Sequence, residues 1–270
     1  ITIKQGCMGI KLCSGDDILN NSGTIDIGNM EWFGINMASG NDQIINSGTI
    51  NIESAYHGFK YYSDNDSTVT TTTNSGTINI GYACYHGFNF GSSGSEDNVT
   101  NSGEINIDFA GINGFRMASG DDTITNSGTL TIGMAGNNGL AMSDDDDTVE
   151  NTGTMNITAG CTAINLGDDD DTMISTGILN LSAPVAIDGG SGDDTLRLGG
   201  THTATIDGDI EDFETFTKEG TGTWTLNGDV EADDLIVEAG RLYINGELDG
   251  NDVLVDGPGL MSGMGGGTLG

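Results

Sequence analysis

Pairs of acids stand before a series of short apolar runs. Asp121 and Asp122 precede "TITN", Asp146 and Asp147 precede "TVEN", Asp170 and Asp171 precede "TMIS", and Asp193 and Asp194 precede "TLRL". One acid recurs five residues before a central Ser or Thr, at Asp17, Asp42, Asp97, Asp122, Asp147 and Asp171, and Asp194 continues the series in "GDDTL". Asp66 joins it if the "STVTTTT" that follows is an insertion. The preceding residue is also acidic or an amide: Asp16, Asn41, Asn65, Glu96, Asp121, Asp146, Asp170 and Asp193. Such a pair has three chemistries open to it: acid–base catalysis, cation binding, or a solvated turn. A catalytic pair needs two carboxylates of different pKa at one special place. Because these pairs recur along the chain, they read as architecture.

What remains is two columns of oxygen ligands or two rows of turn residues. Unit charges ~4.8 Å apart repel by about 0.9 kcal/mol in water and about 3.5 kcal/mol at an effective dielectric near 20, so a column either raises its pKa values or gathers cations. Oxygen-rich sites of this kind suit calcium. The candidate ligands are Asp17, Asp42, Asp97, Asp121, Asp122, Asp147, Asp171, Asp193 and Asp194. Against them stands ordinary turn chemistry, in which Asp beside Gly folds back on its own backbone.

The elements that must carry these acids follow from a repeat. "NSGTI" or a variant begins at Asn21, Asn46, Asn74, Asn101, Asn126, Asn151 and Ser175, in steps of 25, 28, 27, 25, 25 and 24 residues. Each unit holds three extended runs: one after a small residue ("GFRM"), one after the acids, and one ("GTINI") whose apolar residues alternate with polar ones. One unit cannot bury its apolar face alone, whereas stacked units bury a continuous core. The expectation is an all-β parallel β-helix, or β-solenoid, of about 25 residues per coil over residues 1–199. Shorter repeats of 19 to 20 residues continue it over 200–270. The Gly of "NSG" is expected at a turn needing φ > 0, and the stacked Asn residues form an amide ladder.

Only 7 Lys+Arg against 41 Asp+Glu give a formal charge of −34, and the cations are scattered singly, which excludes a nucleic-acid partner. No run approaches the ~18 apolar residues of a membrane helix, so insertion within this segment is not expected. Cys7, Cys13, Cys84 and Cys161 lack metal-ligand spacing and read as free, partly buried thiols, with a local Cys7–Cys13 bridge as the other option. His57 and His86 share the setting "YHGF" on adjacent units and should stack. With Trp32, Tyr56 and Tyr85 they form a candidate surface contact strip. There is no G-x-S-x-G or other nucleophile motif, so no enzyme is expected. The chain begins at Ile1 without an initiator Met and reads as a piece of something longer.

"GGSGDDTLR", Gly189 to Arg197, fits the nonapeptide G-G-x-G-x-D-x-U-x and resembles repeat-in-toxin calcium motifs. The whole chain resembles an autotransporter passenger domain, through its "GDDTITNSGTLTI" rungs and the later "KEGTGTWTLNGD" and "VEAGRLYINGELDG". That resemblance implies a right-handed β-helix at the outer surface of a Gram-negative bacterium or released from it. The implied role is a non-enzymatic adhesin or stalk, stabilised by calcium if the acids bind it. Its partner would be a surface receptor, a glycan or another copy of itself. An extracellular filament of end-stacked solenoids is the alternative. A polysaccharide-processing enzyme and an ice-binding face suit the sequence less well.

Overall fold

A computed structural model describes residues 1–62, 69–91, 94–255 and 259–263. Among them every regular element is a strand and all pairing is parallel, so the chain is a β-solenoid of about 24 residues per coil. The coil centred on Leu130 illustrates the unit. Thr123–Asn126 leads through the "NSG" turn to Thr129–Ala135, then around a corner to Leu140–Ser143, and the acidic turn follows. Each strand lies on its counterparts in the coils before and after it. Thr129 pairs with Glu104 on one side and Thr154 on the other.

The register steps are those of the sequence repeat: Thr24 with Thr49, Thr49 with Thr77, Thr77 with Glu104, and Thr154 with Ile178. Later coils are shorter, with Thr203 on Thr223 and Thr223 on Arg241. Alternation decides what is buried. Ile50, Ile78, Ile105, Leu130, Met155 and Leu179 form one interior column, and Ile52, Ile80, Ile107, Ile132, Ile157 and Leu181 form the next. A third column stacks aromatic rings, Phe59 on Phe88 at 4.4 Å and Phe88 on Phe115 at 4.5 Å between centroids. Stacked ring pairs of this kind add stabilisation beyond the area they bury.

The buried amides are paired along the axis, because an unpaired amide in this core would cost about 1–3 kcal/mol. Asn21 donates to Asn46, Asn46 to Asn74, Asn74 to Asn101, Asn101 to Asn126 and Asn126 to Asn151, each at 2.8 Å. The expected ladder is therefore present. The glycine beside it needs a different explanation from the one the sequence suggests. The "NSG" glycines have no left-handed φ; that conformation falls at Gly15, Gly40, Gly120, Gly167, Gly190 and Gly192 in the acidic turns. A Cβ on Gly103 would instead collide with the carbonyl oxygen of Gly76 in the coil beneath. Close approach of stacked backbones, not turn conformation, selects glycine there.

Gly23 occupies the same position in the outermost coil and faces open space. Gly103→Ala should therefore lower the unfolding midpoint and Gly23→Ala should leave it nearly unchanged, as read by chemical denaturation. Equal effects would show that close approach of the stacked backbone does not select the residue.

Candidate functional site

Extended chain turns successive side chains to opposite faces, and this separates the two acids of each pair. Asp122 lies two residues before Ile124 and four before Asn126, and all three point inward and are buried. Asp121, its neighbour, is exposed. The same division holds for Asp146 and Asp147, Asp170 and Asp171, and Asp193 and Asp194. Asp42, Asp97, Asp122, Asp147, Asp171 and Asp194 are each no more than 1% exposed, while Asp17, in the first coil, is half-buried. The inner acids form a column inside the rod, not on its edge.

Each inner carboxylate accepts the backbone N–H of the preceding inner residue. Asp17 N–H donates to Asp42 Oδ1 at 2.9 Å, Asp97 to Asp122 and Asp122 to Asp147 at 2.7 Å, Asp147 to Asp171 at 2.7 Å and Asp171 to Asp194 at 2.8 Å. Glu214 ends the series, accepting from Asp194 N–H at 2.5 Å. Sequence reading missed Glu214 because it follows no "GDD"; the pairing of Thr195 with Thr215 places it. Asp66 and Asn65 lie outside the described residues. The corresponding position in that coil belongs to Thr70, paired with Asp97 and donating its hydroxyl to that carboxylate.

The second oxygen is the unusual feature. Oδ2 of Asp17, Asp42, Asp147, Asp171 and Asp194 is buried without a hydrogen-bond partner. A dry, unpaired carboxylate is strongly disfavoured in its charged form, and its neighbours one coil away carry the same charge. Burial first, and then those neighbours, push Asp122 and Asp171 up to about 8 and Asp147 up to about 10. Asp42, Asp97 and Asp194 rise to about 6, again through burial. These shifts favour the protonated form in the middle of the column.

Calcium requires six to eight converging oxygens. Here inner and outer acids face opposite sides of the strand, so Asp121 with Asp122, or Asp193 with Asp194, cannot share an ion. Among the described residues no three His, Cys, Asp or Glu side chains group as a metal would need. In the "GGSGDDTLR" segment Leu196 is buried, as that motif requires, but so is Asp194. The outer acids link by backbone bonds such as Asp193 N–H to Asp170 Oδ1 at 2.9 Å and Asn41 N–H to Asp16 Oδ1 at 2.9 Å.

The aromatic strip divides in the same way. His57 and His86 stack at 5.3 Å, yet they are buried and do not belong to the surface. Phe33 lies over His57 at 5.8 Å, and Lys60 and Arg116 stand near both imidazoles. Burial, followed by this cationic company, pushes His57 down to about 3 and His86 down to about 4, so both are neutral. Trp32 and Tyr85 remain exposed at 51% and 40%, with the half-buried Tyr56 between them. Trp32 and Tyr56 lie 6.1 Å apart, and Tyr56 stacks on Tyr85 at 4.5 Å. A parallel file adds exposed Tyr82, stacked on Phe109 at 5.0 Å, and exposed Met134. All four cysteines are free and exposed, contrary to the partly buried thiols expected.

No protein-family model matches the chain, and neither a curated protein nor a solved structure matches it significantly.

The linkage sign follows from the direction of the shifts. An aspartate whose folded pKa lies above its unfolded value near 3.8 stabilises the fold fully below that value and loses the contribution as pH rises through the folded pKa. The window runs from about pH 4 upward through the values of about 6, 8 and 10. The melting midpoint should fall between pH 5 and pH 9. Asp147→Asn, which keeps the Oδ1 acceptor and removes the charge, should raise the midpoint at pH 8 and flatten the slope. A midpoint that is flat or rises with pH would contradict the assignment. Millimolar calcium should leave the midpoint unchanged, since a ligand of the folded state would raise it.

Proposed function

We propose that the chain is the non-enzymatic shaft of an extracellular surface protein, an adhesin that works by contact along its length. The observation that carries this reading is the exposed aromatic corner. Trp32, Tyr56 and Tyr85 form one contiguous aromatic file, and Tyr82 stacks on Phe109 in a second, on a chain whose formal charge is −34. Contiguous exposed apolar surface marks interaction sites, and aromatic rings contribute much of the energy at such contacts. A rod built from stacked coils suits display, because its faces are flat, repeated and rigid.

Two further points support a non-catalytic role. The acid pairs that would serve a glycosidase point to opposite faces and recur from coil to coil, whereas such catalysis needs one pair aimed at one bond. The two stacked histidines are buried, and burial holds both imidazoles in the neutral form. The resemblance to autotransporter passenger domains adds the expected location, the outer surface of a Gram-negative bacterium.

Displayed on otherwise non-adherent cells, the chain should confer attachment, and Trp32→Ala with Tyr85→Ala should reduce it at least tenfold while leaving the circular dichroism unchanged. Undiminished attachment by the double variant would remove the aromatic corner from the function. Cleavage of a polysaccharide by the purified chain would overturn the non-enzymatic reading.

A further inference from the structure

Lys60 alternates with Phe59 and Tyr61, which point into the core, so it lies on the opposite face of its strand. Strand pairing places it in a column that reads Lys11, Asn36, Lys60, Asn89 and Arg116. Two lysines thus stand beside two asparagines, but their surroundings differ. Lys11 is exposed, whereas Lys60 is only 9% exposed and Asn89 only 6%. The Tyr62 ring, edge-on to Phe33, stands beside the Lys60 amine, with Nζ 4.7 Å from its centre.

A buried lysine in a chain with 41 acids would be expected to meet a carboxylate. Lys60 meets an amide instead. Its Nζ donates to Asn89 Oδ1 at 3.0 Å, and among the described residues it forms no ion pair. The other end of the amide is held as well, since Asn89 Nδ2 donates to His57 Nδ1 at 3.4 Å. An amide NH2 can only donate, so Nδ1 is the acceptor and the imidazole proton sits on Nε2. The two contacts agree on which end of the amide is oxygen.

Burial, and then the charge of Arg116, lowers the Lys60 amine to about 8, which brings its neutral, nucleophilic form within reach of ordinary pH. The usual fate of a reactive asparagine is attack on its side chain by the next backbone nitrogen. That route is disfavoured here, because Phe90 N–H is engaged in the strand ladder, donating to Arg116 O at 2.9 Å.

We propose that Lys60 and Asn89 join in an isopeptide bond, a covalent staple between adjacent coils. The neutral Nζ adds to Asn89 Cγ and the carbonyl electron pair moves to Oδ1, where the nearby Arg116 stabilises the negative charge. His57 Nδ1 takes a proton from the attacking nitrogen and passes it to Nδ2. The carbonyl then re-forms, the Cγ–Nδ2 bond breaks and ammonia leaves. One amine and one primary amide give one secondary amide and one ammonia, with no oxidant or cofactor. The bond spans 29 residues of sequence and ties together the coils that carry Tyr56 and Tyr85, whatever those rings bind. Lys11 and Asn36 supply a control in the same column. Asn36 Oδ1 already accepts Ala38 N–H at 2.8 Å and Lys11 is exposed, so that pair should stay unlinked.

The test uses the full chain. After incubation at mildly alkaline pH its intact mass should lie one ammonia below the sequence mass. Peptide mapping should find the segments holding Lys60 and Asn89 joined, with no tryptic cut after Lys60. Lys60→Met or Asn89→Ala should restore the full mass. His57→Phe, which repeats the Phe33 ring of the coil beside it, should slow the loss at least tenfold. A native chain that keeps its full mass, and whose Lys60 reacts with an amine reagent once unfolded, would overturn the proposal without recourse to a variant. So would an ammonia loss that maps to an Asn–Gly step such as Asn227–Gly228 or Asn245–Gly246, where a succinimide gives the same mass. A link between Lys11 and Asn36 would overturn the role given to burial, and an unchanged rate in His57→Phe the role given to His57.

Discussion

Every side chain in this molecule must tolerate a near copy of itself ~4.8 Å away, because parallel coils stack in register along one axis. That single constraint sorts the composition. Ile on Ile and Phe on Phe gain contact area, and Asn on Asn gains a hydrogen bond in each direction. Glycine on glycine lets two backbones approach where a Cβ would collide. Only aspartate is penalised by its own repetition, since stacking places like charges together and burial removes the water that would screen them. The inner column is tolerated because Oδ1 accepts a backbone N–H in each coil and a proton removes the charge.

The distinction between inner and outer acids governs what the acids can do. As paired residues they suggest ligands or catalysts. As members of opposite faces they are two unrelated columns, one a proton-bearing part of the core and the other a solvated edge. Burial raises Asp122, Asp147 and Asp171 above the ordinary carboxylate range, so the inner column carries less charge than its composition alone would give. Exposed aromatic rings and thiols lie outside this stacked core.

Much of the fold was legible in the sequence, because the "NSGTI" spacing is the coil length and the spacing of the repeat equals the register of the strands. The interior was legible too wherever apolar residues alternate. Alternation also placed Asp122 on the face of Ile124 and Asn126, but an acid beside a glycine reads as surface, and that habit hid the burial. Glu214 and Thr70 stayed out of sight because their coils depart from the motif and only strand pairing aligns them. His57 and His86 showed their stacking in the repeated "YHGF", while their burial depended on the packing of Phe33 and its neighbours, which no local pattern encodes.

The proton-bearing column is the feature that most sharply separates this account from one of ionised, cation-bridged acids. Potentiometry of the chain on denaturation at pH 7 measures it directly, because any proton held only by the folded state is released on unfolding. The account predicts release of about three protons, from Asp122, Asp147 and Asp171. No release, or a net uptake, would show that the column is ionised inside the folded rod and would contradict it.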